Sequence, residues 1–377
     1  MPQVSAPVRV LYTIPNFITA GSGRAMLNVV EGLDRARFEP SVCVFKRGGR
    51  LEAEVERRGI LLIEQPFAIP ARPYHTLWRR VQNAAAPFRE HSFDIWHSFH
   101  YLDDYTEPLV ARAAGARAWV FTKKSMSWHQ HSWHLRSLLA SGIGAQNSDM
   151  MKEFFSSMLY RDKTCLIPPT VDVETYTPSV RTRLDIRSRL GIPGSAVVLS
   201  SIAHLIPVKG HPVLILAAAS TPNVHLLLAG SGDDSEYGKS LRGQAARLGV
   251  ANRVHFLGKV DDIPSLLAET DIFALATRGH GHEEGCPVAL LEAMSAGRAC
   301  IATNVAGSRD VIVAGKSGIL VPPDDPIALG SAIALLAGSA GERRRLGHAA
   351  HLRILENYTI PREVAAYEDL YIRVLKA

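Results

Sequence analysis

Residues 271–303 constrain the fold more tightly than any other stretch, because they read in turn as strand, loop, helix and strand. D-I-F-A-L-A-T at 271–277 is a short apolar run of strand type, and R-G-H-G-H-E-E-G-C after it has the glycine and charge content of a loop. Pro287 suits a first helical turn, where a missing N–H and a fixed φ cost nothing. Val288, Leu291, Ala293 and Met294 then give a partly apolar helical face, and Gly297 suits its end. Residues 300–302 read as a short buried strand closed by a Gly307-Ser308 turn.

Glu284 stands in the loop, and Glu292 stands eight positions on, in the first two turns of the helix. A helix N-terminus presents unbonded amides and the positive end of its dipole, which favours a phosphate there. Carboxylates beside a bound phosphate are suited to accept hydrogen bonds from hydroxyls attached to it, a ribose on one side and a sugar on the other. That description fits a nucleotide sugar. Spacing alone leaves open a loop carboxylate and a solvated helix carboxylate with no common ligand.

The segment E-G-C-P-V-A-L-L-E-A-M-S-A-G at 284–297 resembles the E-x7-E region of the retaining GT-B glycosyltransferases of glycosyltransferase family 4. The flanking T-D-I-F-A-L-A-T and A-C-I-A-T-N-V-A-G resemble it too. The resemblance implies an α/β chain of GT-B type, with two Rossmann-like domains whose parallel sheets face a central cleft. It also implies that Glu284 contacts the donor sugar, that Glu292 binds the ribose, and that Gly285, Cys286, Pro287 and Val288 surround the diphosphate.

A chain of 377 residues has room for two domains. No apolar run reaches the roughly 18–20 residues of a membrane span. Residues 1–15 lack the charged and long apolar regions of a signal peptide. Cys43, Cys165, Cys286 and Cys300 are widely scattered and form no C-x-x-C pair, which fits a reducing cytoplasm and argues against disulfides and a zinc ribbon. The formal net charge of +6 suits anionic substrates or a membrane surface, without the basic stripe of a nucleic-acid binder.

In the first half, V-R-V-L-Y-T-I at 8–14 reads as the opening strand of a parallel sheet. A-G-S-G-R follows at 20–24, and Met26, Leu27, Val30 and Leu33 then have helical spacing. Gly21, Ser22 and Gly23 are therefore expected to form a glycine-rich loop that admits a phosphate, with a plain tight turn as the alternative. The family usually carries two glycines here; Gly21 aligns with the second, and Ala20 replaces the first. Strands follow at 41–45, 61–63 and 119–122, with a charged helix at 51–58.

F-D-I-W-H at 93–97 resembles the family's D-x-x-H at a strand end. Ligands of open α/β sheets collect at the carboxyl ends of strands, so His97, His100, Lys123 and Lys124 are expected to line one acceptor pocket. Many relatives place a histidine where this chain has Lys123-Lys124. A lysine is a poor general base and a good anion holder, so the pair suits an anionic acceptor or leaving group. Trp78-Arg79-Arg80 and Pro87-Phe88-Arg89 have the basic, aromatic character of membrane interfaces. The run from Trp128 to His134 places three histidines among two tryptophans, in a spacing that fits no standard zinc pattern.

L-I-P-P-T-V-D at 166–172 resembles the family's I-P-N-G-V-D, and its two prolines suit a stiff linker. Residues 196–203 then mirror the first strand, and H-L-I-P-V-K-G at 204–210 stands where the family has G-R-L-x-x-x-K-G. By resemblance Lys209 holds the diphosphate, and His204 replaces the arginine that helps it. That trade exchanges a permanent charge for one that histidines lose near neutrality. Strands follow at 225–229 and 254–258; by resemblance the second frames the nucleotide base through Gly258 and Val260. G-I-L-V-P-P-D at 318–324 matches a further family turn. Val364, Tyr367, Leu370, Tyr371 and Val374 have helical spacing, for which core packing is a sufficient explanation. Relatives use such a helix to cross back onto the first domain.

The expected organisation is an acceptor domain at 1–175, a nucleotide-sugar domain at 176–357, and a helix at 358–377 that returns to the first domain. The expected activity is transfer of a sugar to an acceptor hydroxyl with retained anomeric configuration, with Glu284, Lys209 and His204 at the reacting centre. Cell-surface polysaccharide, lipopolysaccharide or glycolipid synthesis, or glycosylation of a small metabolite, would use it. No D-x-D triplet marks a strand end, so no metal is expected. The co-substrate is a UDP- or GDP-sugar, with no other cofactor and no nucleic acid. The acceptor is a saccharide, a lipid-linked molecule or a small molecule, met in the cytoplasm or peripherally at the inner face of the membrane. A sugar-nucleotide epimerase of the same architecture and a non-catalytic glycosyltransferase-like subunit stay open as alternatives.

Overall fold

The structure is a computed structural model that describes residues 6–18, 20–49, 51–102, 104–128, 132–279 and 285–376. Two parallel sheets organise it. The first comprises β1 (Val8–Thr13), β2 (Phe38–Val44), β3 (Leu61–Glu64), β4 (Ile95–Ser98), β5 (Ala118–Lys123), β6 (Gly142–Ala145) and β7 (Thr164–Leu166), in the order β3-β2-β1-β4-β5-β6-β7. The second comprises β8 (Val197–Ile202), β9 (Val224–Ala229), β10 (Val254–Gly258), β11 (Ile272–Leu275), β12 (Ala299–Thr303) and β13 (Ile319–Val321), in the order β10-β9-β8-β11-β12-β13. All their pairings are parallel. β4, β5, β6 and β12 are buried along their whole length, as the strands of a parallel sheet covered on both faces are.

In each sheet the strand order reverses once, at β1/β4 and at β8/β11. At such a point the connections leave in opposite directions, so a crevice opens beyond the carboxyl ends of the two strands. The loops that carry most of the expected ligand contacts start there.

The chain divides into two compact units, Met1–Pro169 with Ile360–Ala377, and Thr170–Thr359. The division falls before the boundary expected after residue 175. The Val171 amide donates to the Tyr358 carbonyl (3.0 Å), and the Tyr176 carbonyl accepts from Ser295 Oγ (2.6 Å). Residues 170–176, beyond the two prolines, are therefore pinned to the second unit.

The C-terminal helix Ile360–Lys376 packs on the first sheet through Val364, Tyr367, Leu370 and Tyr371, all buried with residues of β1 and β2. A Cβ added to Gly142 of β6 would stand 2.8 Å from Val374 Cγ1 and 2.9 Å from Leu370 Cδ1. Only a glycine lets the helix come this close. Polar groups of the same helix complete the contact. Tyr371 Oη lies 2.7 Å from Tyr12 Oη and 2.6 Å from His97 Nδ1, and Tyr367 Oη lies 2.8 Å from Thr122 Oγ1.

Two expectations need correction. Residues 20–24 are not a loop: a helix starts at Ala20 and runs to Gly32. Gly21 has open space where a Cβ would be, whereas Gly23 packs against Phe17 and Leu51. The interfacial reading of 78–89 also fails in part, because Phe88 is fully buried edge-on to Trp96, and Arg80 donates to the carbonyls of Ala71 and Pro73. Trp78 does stand exposed. Among the described residues no helix is long and apolar enough to cross a membrane.

Replacing Tyr371 by phenylalanine leaves His97 Nδ1 and Tyr12 Oη without their partner, at about 1–3 kcal/mol for a buried unsatisfied group. We expect the melting temperature of Tyr371→Phe to fall by about 2–12 °C, since about 1 kcal/mol moves a domain of this size by 2–4 °C. An unchanged melt would show that the helix is held by apolar packing alone.

Candidate active site

In the second unit, the chain leaves β8 into the turn that holds His204 and Lys209. His204 is exposed, with Nδ1 2.6 Å from Ser231 Oγ in the loop after β9. Lys209 ends a single 3-10 turn, and Gly210 follows at φ +65°. Any Cβ at Gly210 would run into the Ala276 carbonyl beyond β11, so this position excludes every other residue. The Arg278 amide donates to the Val208 carbonyl (2.9 Å), tying the same two loops together. Lys209 is half-buried, and the loss of water pushes its pKa down to about 8.

The helix Val288–Ser295 begins directly after Pro287, whose carbonyl accepts from the Leu290 (3.0 Å) and Leu291 (3.3 Å) amides. Pro287 thus sits one position before the first turn, still where its missing N–H costs nothing. Glu284 lies outside the described residues, while Gly285 and Pro287 are buried and Val288 is exposed. Glu292 is half-buried one turn into the helix. Burial pushes its carboxyl up to about 7, against a hydrogen bond with the Tyr176 hydroxyl that works the other way. Gly258 closes β10 at φ +61°, where the register shifts and its carbonyl accepts from the Gly230 amide (2.8 Å). Val260 packs into a satellite core with Ile186 and Leu266.

In the first unit, the structure separates the four residues expected in one acceptor pocket. His97 is a core histidine: it is fully buried, with Nδ1 on Tyr371 and Nε2 on Thr122 Oγ1 (2.8 Å). Burial, with Lys124 and His100 adding to it, pushes its pKa down to about 3, so it stays neutral. It cannot touch an acceptor in this arrangement. His100, Lys123 and Lys124 do come together, in a pocket completed by Ser125, Trp128 and Arg136.

Beneath that pocket lies a polar network built on Glu107, a carboxylate with no exposure at all. Its Oε1 accepts from Thr13 Oγ1 (2.5 Å) and Trp96 Nε1 (3.0 Å), and its Oε2 from His100 Nε2 (3.0 Å) and Arg136 Nη2 (3.4 Å). His100 Nδ1 accepts from the Leu102 amide (3.1 Å), so its proton sits on Nε2, facing the carboxylate. Arg136 is 1% exposed; it also donates to the Asp104 carbonyl (2.7 Å) and Ser98 Oγ (2.6 Å). Burial alone would raise the Glu107 pKa, but His100, Arg136 and Thr13 outweigh it and bring it to about 2. Glu107 and Arg136 escaped the sequence reading. The available signal was Arg136 itself, a charge with Trp133, Leu139 and Ala140 at helical spacing around it.

Of the aromatic run after β5, residues 129–131 lie outside the described residues. Trp128 and Trp133 stack at 5.3 Å, and His134 stacks on Trp133.

The Glu107 pKa is lowered by folding, so its contribution is present above the unfolded value of roughly 4.3 and disappears as pH falls towards 2. That window is worth about 3 kcal/mol at roughly 1.4 kcal/mol per unit. We expect wild type to lose stability through this window more steeply than Glu107→Gln. The variant is itself destabilised at pH 7 by about 3–5 kcal/mol, because Arg136 keeps its buried charge without a counter-ion. Melts of the two proteins side by side from pH 7 to 3 check this, and an equal loss in both would contradict it.

Residues 182–353 match the family model for glycosyl transferases group 1, and residues 19–175 match the model for glycosyltransferase family 4. The D-inositol 3-phosphate glycosyltransferase of Geodermatophilus obscurus is 34% identical over 221 residues, covering 55% of this chain and 48% of that protein. The chain thus spans about half the length of that relative. The GDP-mannose-dependent alpha-(1-6)-phosphatidylinositol monomannoside mannosyltransferase of Mycolicibacterium smegmatis is 28% identical, over 66% of this chain and 68% of its own length. Among solved structures, a glycosyltransferase from Rickettsia africae superposes with a TM-score of 0.85 at 18% identity, covering 98% of this chain and 99% of that one. Anabaena HepE in complex with UDP and glucose gives 0.79 at 20% identity, covering 97% and 100%. These likenesses fix the fold as the two-unit α/β fold of GT-B glycosyltransferases. By the two matched models together, the chain belongs to glycosyltransferase family 4.

Proposed function

We propose that this protein transfers a sugar from a nucleotide diphosphate sugar to an acceptor hydroxyl, retaining the anomeric configuration. The observation that carries the reading is the placement of Lys209, a half-buried ammonium on a turn locked against β11, beyond the carboxyl ends of β8 and β11. A cation deprived of water there is compensated when a diphosphate arrives. Family membership and the names of the relatives, which cite GDP-mannose, inositol phosphate and lipopolysaccharide core, support the same chemistry.

In this reading Lys209 and His204 stabilise the departing diphosphate, together with the amides of Gly285, Cys286 and Val288. Fixed charges and dipoles of this kind supply most of the rate. Glu292 accepts from the ribose, Glu284 orients the sugar, and the backbone around Gly258 and Val260 frames the base. UDP and GDP are the nucleotides we favour. With protein groups neutralising the diphosphate, binding needs no divalent ion. We place the reaction in the cytoplasm, where scattered cysteines stay reduced.

Melting in the presence of UDP, GDP, ADP, CDP and NAD tests this. A diphosphate at a hundred times its Kd stabilises by about 2.7 kcal/mol, and we expect UDP or GDP to do so equally with EDTA. Lys209→Ala should lose about 10–100-fold in affinity, the worth of a charge-assisted hydrogen bond. Because Lys209 sheds its proton near pH 8 when no ligand is bound, wild-type affinity should fall as pH rises through 8, and the variant's should not. Stabilisation by NAD alone would end the glycosyl-transfer reading.

A further inference from the structure

Residues 170–176 form a strap across the second unit, and the last of them reaches Glu292. Val171 is buried, and Val173 and Tyr176 pack on the same cluster as Leu290, Leu291 and Met294 of the helix Val288–Ser295. Asp172 folds the strap back on itself. Its Oδ1 accepts from the Glu174 (3.0 Å) and Thr175 (3.2 Å) amides, its Oδ2 from Thr175 Oγ1 (2.6 Å), and its carbonyl from the Tyr176 amide (3.0 Å). The Tyr176 carbonyl in turn accepts from Ser295 Oγ (2.6 Å), so the backbone of this tyrosine is fixed on both sides.

Ser295 stands three residues after Glu292, which puts the two side chains on one face of the helix. Tyr176 spans that face, with its carbonyl on Ser295 and its hydroxyl hydrogen-bonded to the Glu292 carboxyl. Asp172 and Asp262 also act on the tyrosine, but each is engaged by its own loop. Asp172 closes the turn just described, and Asp262 accepts from the Ser265 amide (3.1 Å) and hydroxyl (2.7 Å). Burial works against a charge on Glu292, and the tyrosine works for it. Phenylalanine would fill the same space in the cluster, so packing accounts for the ring of Tyr176 and leaves its hydroxyl unexplained.

We propose that Tyr176 is a positioning residue for nucleotide recognition: by holding one oxygen of Glu292, it presents the carboxylate to the ribose hydroxyls and sets a preference for ribonucleotides over deoxyribonucleotides. This rests on the glycosyl-transfer reading, in which Glu292 accepts from the ribose, and adds the residue that aims it. A glutamate side chain has several rotamers, and one already tied in place gives up less freedom when its ligand arrives.

The test is calorimetric titration of UDP and GDP, each beside its 2′-deoxy and 3′-deoxy counterparts, from pH 6 to 9. Wild type, Tyr176→Phe, Glu292→Gln and the double variant are compared. Wild type should favour the ribonucleotide by about 10–100-fold, the worth of a hydrogen bond to a charged group. Taking the ratio of ribo- to deoxyribonucleotide cancels the titration of the phosphates. That ratio should shrink as pH falls through about 7, where Glu292 takes up a proton. Tyr176→Phe should lose about tenfold of the preference. Its ratio should also begin to shrink at higher pH, because the hydroxyl no longer opposes the effect of burial. The double variant should discriminate no worse than Glu292→Gln. A merely structural role would weaken both kinds of nucleotide alike and leave the pH course in place. Should Tyr176→Phe fail to fold, Ser295→Ala frees the Tyr176 carbonyl from the helix and should narrow the preference in the same direction. An unchanged preference and pH course in the variant that folds, with Glu292→Gln losing both, would overturn the role of Tyr176 and leave Glu292 on the ribose. Discrimination by Glu292→Gln equal to that of wild type would overturn it by removing its premise. A wild type that binds no nucleotide would sink the glycosyl-transfer reading itself.

Discussion

The hydrogen-bonded contact between Tyr371, Tyr12 and His97 joins the last helix of the chain to the first and fourth strands of its first sheet. Much of the first unit depends on it. The helix buries Val364, Leu370 and both tyrosines in the core that β1 and β2 build, so residues more than three hundred positions apart share one hydrophobic cluster. Glycine in β6 is what allows that approach, and a histidine in β4 is what the tyrosines are there to satisfy. Burying such groups is costly unless every partner is present. The arrangement therefore holds the carboxyl ends of β4 and β5 in one geometry, and the pocket lined by His100, Lys123 and Lys124 grows from those ends.

Charge is handled differently in the two units. In the first, a fully buried carboxylate takes four hydrogen bonds and stays ionised, which orients His100 and anchors Arg136 and the loop at Asp104. Such a network is rigid. In the second unit the cation that matters is only half-buried, and the carboxyl of Glu292 is pushed towards neutrality by its apolar surroundings. Burial draws the pKa of each of these groups towards neutrality, and a polar ligand would draw it back. Groups poised in this way are common where binding or catalysis occurs.

What could be read from the sequence follows from what local pattern encodes. The strand–loop–helix–strand of 271–303 was legible because strand-type runs, a glycine-rich loop and a proline at the helix start all agree there. β6 was not, since G-I-G-A has the composition of a turn; its glycines answer to a helix that comes from the far end of the chain. His97 was assigned to a pocket because it ends a strand, yet strand position cannot tell which face a buried ring uses. Gly21–Gly23 looked like a loop and proved to be the first turn of a helix, where glycine is tolerated as readily. Glu107 and Arg136 are meaningful only as a pair: the apolar residues at helical spacing around Arg136 point to its burial, but nothing local names its partner. Glu284, the residue on which the family resemblance leans most, lies outside the described residues.

The central claim is that the second unit alone carries the nucleotide-binding surface formed beyond β8 and β11. Hydrogen–deuterium exchange with and without UDP or GDP tests it most directly, because it reports backbone protection peptide by peptide. The account predicts slowed exchange in peptides spanning 204–211 and 285–292, with those spanning 97–125 unchanged. Protection confined to 97–125, with 204–211 and 285–292 exchanging as before, would contradict it.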